Sequence, residues 1–150
     1  MKRWFSQLLR GQVPGAFVLA GITTFVASQL VTLDASRRGV AYSAAEGLTL
    51  AEGETLVSHA VGALDASSAH HLRIANGVAG HYHVAHDETV FILSGTGVFS
   101  MAEETHSIGP GSVLLIPRGT VHALAVTEGP MEALSVFAPE FDGKDRVFVD

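Results

Sequence analysis

Three histidines and one glutamate in the middle of the chain have the types and the spacing of a metal-binding site. His81 and His83 lie one residue apart. On an extended strand their side chains share a face, because side chains alternate with a period of two. Glu88 has the opposite parity, so it joins them only if the chain turns or bulges at the polar residues just before it. His122 follows much later, directly after a turn-forming segment. Three imidazoles and a carboxylate that converge on one point form a ligand set for a divalent transition metal.

This ligand set predicts a kind of chemistry without selecting the ion. Neutral imidazoles and one carboxylate leave one or more positions open on a six-coordinate ion, and substrate oxygens, water or dioxygen can bind there. The divalent ions of Fe, Mn, Ni, Zn and Co all accept such ligands. We therefore expect one divalent transition metal per chain, of undetermined identity. A histidine that is only a hydrogen-bonded core residue is the common alternative for any one position, but it does not explain all four together.

The spacing of these residues resembles the two motifs of the cupin superfamily. The first motif has His-x-His, three or four residues, Glu, six residues and Gly; its matches are His81, His83, Glu88 and Gly95. The second has Gly, five residues, Pro-x-Gly, two residues and His; its matches are Gly111, Pro117, Gly119 and His122. Ala75 stands where the first motif begins with Gly, and Val126 where the second ends with Asn. Both departures fall at positions that are not ligands.

The resemblance covers roughly residues 56–137 and implies a small single-domain cupin of the cupin-2 type. In such a protein all four family metal ligands map onto His81, His83, Glu88 and His122. The resemblance also implies a homodimer and a small-molecule ligand. It does not imply one reaction, because this family includes isomerases, dioxygenases, decarboxylases, lyases and non-catalytic binders.

Short apolar runs separated by Gly and Pro, with no strong helical pattern between them, predict an all-β sandwich or barrel around this site. The fold we expect is a small antiparallel double-stranded β-helix, or jelly roll, preceded by an N-terminal apolar helix. The predicted strands cover residues 54–64, 70–75, 89–93, 98–101, 105–108, 112–116, 122–126, 131–137 and 147–149. Residues 94–97, which read Ser-Gly-Thr-Gly, are expected to end the third of these strands.

The first 33 residues differ in composition from the remainder of the chain. Lys2, Arg3 and Arg10 precede an uncharged apolar stretch, residues 13–33, which is typical of a secretory signal peptide or a signal-anchor helix. The predicted domains are therefore residues 1–33 as this segment, residues 34–55 as a linker and first strand region, and residues 56–150 as the barrel. We expect the barrel to be exported, either membrane-anchored or released after cleavage. A soluble amphipathic or buried helix is the alternative, and cell fractionation with an intact N-terminal tag distinguishes the three outcomes.

Charge excludes a nucleic-acid partner. The chain carries a formal charge of −6, and the residues after position 33 hold 6 basic and 15 acidic side chains, a net of −9. Such a surface repels phosphate backbones and anionic lipid, so contact with a membrane is expected only through the N-terminal segment. The chain has no cysteine, which excludes a thiolate ligand and a disulfide framework.

Three further residues are candidates for contact with a metal ligand or with the substrate. They are His70, His86 and Arg118. For each a simpler role competes: a surface position for His70, a place at the mouth or in solvent for His86, and a solvated turn for Arg118. His70 and His71 alternate faces, so at most one of them points inward. We expect Val90, Ile92, Leu115 and Leu124 to form an apolar pocket around the ion. The phenylalanines Phe91, Phe99 and Phe137 are expected in the core.

Two classes of function fit this pattern. In the first, the protein is a metalloenzyme acting on a small oxygenated substrate with a carbonyl, enol or carboxylate group, by dioxygenase-like or isomerase- or decarboxylase-like chemistry. In the second, it is a non-catalytic module that binds a small molecule or a sugar. A catalytic acid or base close to the ion would favour the first class. In the motif region, the only candidates besides the ligand Glu88 are His86, His70 and His71.

Overall fold

The fold is known from a computed structural model, which describes residues 39–45 and 47–149. In this part of the chain the regular elements are eight strands: β1 Leu56–Leu64, β2 Ser67–Ile74, β3 Gly77–His83, β4 Asp87–Met101, β5 Glu104–Ile108, β6 Val113–Ile116, β7 His122–Ala138 and β8 Arg146–Phe148. The predicted all-β class is confirmed. The predicted N-terminal helix, residues 1–33, lies outside the described residues. Within residues 39–45 and 47–149, no helix has the length and apolarity needed to cross a bilayer.

β7 is the central strand of one curled antiparallel sheet. Its first part pairs with β3 and its second part with β2, while β4 runs beside it from Asp87↔Ala138 to Met101↔His122. β1 extends the sheet beyond β2, and β8 extends it beyond β3. β5 and β6 pair with opposite ends of β4. The sheet thereby curls into a barrel in which β3, β4 and β7 meet.

β4 stays continuous through the segment that was expected to end it. The register of β4 on β7 shifts between Ile92 and Gly97, and this bulge changes which parity faces the core. Val90 and Ile92 are buried before it and Phe99 after it. Gly95 has φ 81°, and a Cβ there would lie 2.7 Å from Met131 Cα. Only glycine fits that approach. The prediction of a strand end at residues 94–97 is therefore wrong, because glycine here permits a bend within one strand.

β7 shows the same behaviour. Residues 122–126 and 131–137 were predicted as two strands, but they belong to one strand of 17 residues. Its inward face passes from the even position His122 to the odd positions Met131, Ala133 and Phe137, all of them buried. The two long strands thus change parity next to each other, and they keep their pairing along the whole barrel.

The side chains that face the core are partly those expected from the sequence. The core cluster consists of Val90, Ile92, Phe99, Ile108, Leu114, Ile116, Met131 and Ala133, with Met101, Leu124 and Val126 packed against it. Leu115 was predicted to face inward, but it is 67% exposed and its neighbours Leu114 and Ile116 face inward instead. Phe91 was predicted in the core and is 39% exposed. The spacing within each strand was correct, but alternation does not say which face points inward.

A buried polar cluster lies on the outer side of β2. His71 is fully buried, with its Nδ1 2.7 Å from the Tyr42 hydroxyl and its Nε2 3.4 Å from Glu132 Oε2. Arg73 forms an ion pair with the same glutamate. Tyr42, Gly47 and Leu48 lie against this side of the sheet. His71 is therefore buried outside the barrel, and His70, of the opposite parity, is the one that faces the barrel mouth, as alternation requires.

The turn before β7 is tied to the start of β4. The Gly119 backbone N–H donates to the His83 carbonyl at 2.7 Å. The Arg118 guanidinium donates to both oxygens of Asp87, at 3.2 Å and 2.8 Å, and the Arg118 backbone N–H donates to Asp87 Oδ1 at 2.9 Å. These bonds hold the turn beside the ends of β3 and β4, so His122 enters β7 at a fixed place.

The inward and outward assignment of β6 predicts a contrast between two adjacent leucines. Leu114→Ala removes a buried side chain from the core and should lower the free energy of unfolding by about 2–4 kcal/mol. Leu115→Ala changes an exposed side chain and should change it by less than about 0.5 kcal/mol. Urea denaturation of the two variants measures both values. Equal losses would contradict the orientation of β6.

The Arg118–Asp87 ion pair predicts a shifted titration. Hydrogen bonds from Arg118 lower the pKa of Asp87 to about 2 from 3.8. Because the pKa is lower in the folded state, the pair contributes stability above pH ~4, and this contribution is lost as the pH falls towards ~2. Arg118→Gln should move the pKa of Asp87 back towards 3.8, as read from its side-chain carboxyl carbon by NMR. Both side chains are exposed, so added salt should screen the pair and also raise the pKa of Asp87 towards 3.8. An ordinary pKa for Asp87 in the unmodified protein would refute the pairing.

Candidate metal centre

The pairing of β3 with β7 brings three imidazoles together. His81 and His83 share the inward face of β3, and His81 lies directly opposite His122 at the start of β7. All three are buried. One ring nitrogen from each can be chosen so that all three lie within 4.8 Å of one another. Imidazole nitrogens bound at ~2.0–2.1 Å to one ion lie at most about 4.2 Å apart, so small side-chain movements would bring all three onto one ion.

Glu88 reaches the same point from β4. The chain turns over residues 84–86, which supplies the change of parity that the sequence required. Glu88 Oε2 lies 3.4 Å from His122 Nε2 and 3.7 Å from His83 Nε2. The Ser135 hydroxyl of β7 donates to the other carboxylate oxygen, Oε1. This bond orients the carboxylate so that Oε2 faces the histidines.

Glu88 is held as a carboxylate. Burial by itself raises the pKa of Glu88, but the close approach of His122 and His83 and the hydrogen bond from Ser135 outweigh it. The pKa of Glu88 therefore lies below its ordinary value. A buried ionised carboxylate beside three imidazoles needs positive charge nearby.

The hydrogen bonds of the histidines fix which nitrogen carries the proton. Nδ1 of His81 is 2.8 Å from the Ala79 carbonyl, Nδ1 of His122 is 2.9 Å from the Thr120 carbonyl, and Nδ1 of His83 is 3.0 Å from Asp145 Oδ1. A carbonyl or carboxylate oxygen only accepts, so Nδ1 is the donor in each ring. In the neutral ring Nε2 then has a free lone pair.

The Nε2 atoms of His83 and His122 are buried and have no hydrogen-bond partner. Such orphaned acceptors are costly in an apolar interior, and a metal ion would satisfy them. Burial, with the neighbouring His122, Arg146 and His83 in the same direction, lowers the pKa of His81 to about 4 despite its backbone hydrogen bond. His81 is therefore neutral at physiological pH, as a ligand must be. The donor set fits a divalent transition metal.

Asp145, which sequence reasoning missed, supports the site from the loop before β8. It accepts from His83 Nδ1 at 3.0 Å, from the Ala85 backbone N–H at 2.9 Å and from His86 Nδ1 at 2.5 Å. These bonds outweigh burial and hold the pKa of Asp145 well below its usual range. A carboxylate that receives a ligand histidine's second N–H fixes the ring orientation and raises its basicity.

His86 is buried, and the expectation that it lies at the mouth or in solvent is wrong. Its Nδ1 donates to Asp145 and its Nε2 to the Glu140 carbonyl at 3.0 Å. Both partners only accept, so both ring nitrogens carry protons. Burial lowers the pKa of His86, but these two hydrogen bonds outweigh it and raise the pKa above its ordinary value. His86 thus touches the site only through Asp145.

An apolar cavity of about 50 Å³ lies beside the histidines. Core side chains such as Val90, Ile92 and Ile116 line it, and the ionisable residues in its described wall are His81, Glu88, His122 and Arg146. A water needs about 10–15 Å³ of such space, so the cavity has room for roughly four groups of that size. Of the residues predicted to line it, Val90, Ile92 and Leu124 do, and Leu115 does not.

An outer pocket of about 560 Å³ adjoins the cavity, with Leu56, Leu72 and Arg146 in both walls. His70 lies in its wall, its ring edge-on to Phe137 and Phe141 at 5.5 Å and 5.9 Å between centroids. Arg118 lines neither space. Its side chain is 56% exposed and forms an ion pair with Asp87. Arg118 is therefore a solvated turn residue, which was the alternative to a contact with the ligand.

Three residues near the site carried no sequence signal. Ser135, Asp145 and Arg146 lie far from the histidine motif along the chain. Alternation within β7 could have placed Ser135 on the same face as Phe137. Nothing in the sequence shows that β8 pairs with β3, which is what brings Asp145 and Arg146 to the site.

Comparison with known proteins agrees with this geometry. The family model Cupin_2, described as a cupin domain, matches residues 71–137. An uncharacterized protein of Aquifex aeolicus (strain VF5) is 37% identical over 70 residues, which is 47% of this chain and 58% of the relative. The chain thus matches less than two thirds of that relative's length.

Solved structures share the fold at low identity. KdgF from Halomonas sp. has a TM-score of 0.62 at 18% identity, over 70% of this chain and 97% of its own. A Streptomyces PAC13 variant with uridine has a TM-score of 0.57 at 20% identity, over 64% and 79%. Ectoine synthase from P. lautus has a TM-score of 0.55 at 20% identity, over 64% and 77%. Identities this low show the fold alone. Together with the two motifs on adjoining strands, these comparisons show that residues 71–137 match the cupin-domain family model and that the barrel has the cupin fold.

Proposed function

We propose that this protein is a metalloenzyme that binds one divalent transition metal through His81, His83, Glu88 and His122 and acts on a small oxygenated molecule. One observation carries the proposal. The orphaned Nε2 atoms of His83 and His122 converge with an ionised, hydrogen-bonded carboxylate beside an apolar cavity. A bound ion would act as a Lewis acid that polarises a carbonyl, enol or carboxylate oxygen.

The chain's own residues would orient the ligands and exclude water. Each imidazole is fixed by an Nδ1 hydrogen bond, and Glu88 is fixed by Ser135. The apolar wall keeps bulk water from the reacting atoms and strengthens electrostatic interactions inside the cavity. Several solved structures with this fold are enzymes by their descriptions, including a nucleoside dehydratase and an ectoine synthase.

His70 is the candidate for moving a proton. It lines the outer pocket, and its Nε2 is 3.1 Å from the Ser68 hydroxyl. Burial lowers the pKa of His70, and the negative charge of Glu88 offsets this only in part. A neutral imidazole at the cavity mouth can accept a proton at physiological pH. A role of His70 as general base follows from this position.

A second function, a non-catalytic binding module, is favoured by one feature of the cavity. Every ionisable residue in its described wall except Arg146 is a proposed metal ligand. The cavity itself therefore contains no spare proton donor or acceptor. A protein of this second kind would hold its ligand on the ion without converting it.

Metal binding is the first test. The purified protein should hold about one divalent ion per chain, and His83→Ala or His122→Ala should lose it, because each removes an inward ligand. His59→Ala, at an exposed position of β1, is the control and should retain the ion. Elemental analysis after dialysis gives the content. Full occupancy in the His83→Ala, His122→Ala double variant would overturn the proposal.

The support from Asp145 gives a finer prediction. Asp145→Asn weakens the bond to His83 Nδ1 and should lower metal affinity about 10–100-fold, the usual range for such partners. Asp142→Asn, three residues earlier on an exposed side chain, should leave the affinity unchanged. Competition with a chelating dye measures both. Equal affinities in the two variants would mean that Asp145 does not orient His83.

The enzyme and the binding module are separated by turnover. Metal-loaded protein is assayed against dicarbonyl, phenolic and carboxylate compounds, with oxygen uptake recorded. Metal-dependent conversion that is lost in His83→Ala and reduced in His70→Gln supports the enzyme. Saturable binding of a compound recovered unchanged after prolonged incubation supports the binding module.

A further inference from the structure

Arg146 is a cation at the metal centre that has no anionic partner within the described chain. Its Nε is buried and has no hydrogen-bond partner. No described carboxylate lies within ion-pair distance of it. A guanidinium offers five N–H donors and stays charged. Leaving the buried Nε–H of this half-buried side chain unpaired at the edge of an apolar cavity is unfavourable unless a ligand accepts from it.

The strand register aims Arg146 at the site. β8 pairs with β3 so that Arg146 lies directly opposite His83. Directly opposed residues of antiparallel strands project their side chains to the same face. Arg146 therefore shares the inward face with a proposed ligand. It also belongs to the walls of both the inner cavity and the outer pocket, so it stands where a ligand would pass between them.

The acidic groups nearby are already engaged elsewhere. Asp145 accepts from His83, His86 and the Ala85 backbone. Glu88 is bonded to Ser135 and faces the histidines. Asp142 also borders the outer pocket, but it pairs with Lys144 at 3.7 Å. With a divalent ion bound, Glu88 would neutralise only one of the two positive charges of the ion, and Arg146 would add one more positive charge. The site therefore attracts an anion.

We propose that Arg146 binds the carboxylate of a small ligand whose second oxygen occupies the metal centre. This inference rests on the proposed function and adds its substrate class: short carboxylic acids with a neighbouring carbonyl or hydroxyl oxygen. A planar guanidinium matches a carboxylate through two parallel N–H···O bonds. The cavity of about 50 Å³ admits the metal-bound end of such a molecule, and the remainder extends into the outer pocket. A small, apolar-walled cavity favours a singly charged carboxylate over phosphate, which carries more charge to be desolvated.

The probes are pyruvate, its uncharged analogue pyruvamide, and inorganic phosphate, each titrated by calorimetry into zinc-loaded protein. Pyruvate and pyruvamide differ only in the group that faces Arg146. Pyruvate should bind about tenfold or more tightly than pyruvamide, which is the size of effect a charge-assisted bidentate pair gives. Arg146→Gln should abolish the preference while zinc content stays at that of the unmodified protein. Arg146→Lys, which keeps the charge and loses the fork, should retain only part of it.

The matched control is Arg118→Gln, which removes the same charge from an exposed turn, keeps the backbone hydrogen bonds of that turn to Asp87 and His83, and should leave the preference intact. Zinc content and circular dichroism establish that each variant is folded and loaded. Equal binding of pyruvate and pyruvamide, no binding of pyruvate to fully loaded protein, or a preference that survives Arg146→Gln would overturn the inference. Arg146-dependent binding of phosphate with no binding of pyruvate would overturn the carboxylate assignment.

Failure of the proposed function gives a different result. If the unmodified protein binds no zinc or any other divalent ion, elemental analysis shows it independently of these titrations. The Arg146 assignment is then judged on the metal-free protein. A pyruvate preference that disappears in Arg146→Gln supports it, and the absence of any preference refutes it.

Discussion

The antiparallel pairing of β4 with β7 is the interaction on which the rest of the structure depends. It runs from Asp87↔Ala138 to Met101↔His122. At one end it places Glu88 against Phe137, two residues from Ser135 along β7, and at the other it places His122 at the start of the strand that β3 joins. In both strands, the residues that face the core change between even and odd positions near the middle. The two strands therefore stay paired through the bend. Were only one strand to reverse, half of its apolar side chains would turn to solvent.

This arrangement puts a polar cluster at the edge of an apolar core. Ile116, Val90 and Phe137 pack within the same barrel that holds the buried His81, His83, Glu88 and His122. Burying such groups is costly unless they are hydrogen-bonded or coordinate an ion. The chain satisfies one side of each imidazole with a carbonyl or carboxylate and leaves the other side open. The unsatisfied Nε2 atoms of His83 and His122 lower the stability of the fold, and a metal ion bound as proposed would satisfy them.

The segment after β7 has more influence on the site than its length indicates. Phe141 stacks on Phe137 at 4.3 Å between centroids and lies edge-on to His83 at 5.3 Å. Asp145 fixes His83, Arg146 faces the cavity, and Phe148 lies opposite His81. The barrel strands thus supply the proposed metal ligands, while this short segment supplies residues that surround them. Differences in such a segment can change the ligand that a cupin accepts while its metal site stays the same.

The sequence by itself determined the local parts of the site. Alternation places His81 and His83 on one face and requires a change of parity before Glu88, although the turn lies at residues 84–86 and Asp87 already belongs to β4. Short apolar runs with Gly and Pro between them determined the all-β class. These features depend on neighbours a few residues apart, where backbone geometry limits the possibilities.

Tertiary structure decided everything that depends on distant partners. Alternation in β6 allows either the even or the odd residues to face the core. Only packing against the core selects Leu114 and Ile116 over Leu115. Gly95 reads as a strand end until β7 approaches it and makes it a bend within one strand. His86 reads as a turn residue in solvent until Asp145, 59 residues later, covers it. Arg146 reaches the site only because β8 pairs with β3. The sequence does not predict this pairing, because a strand of three residues has too short a pattern to specify its partner.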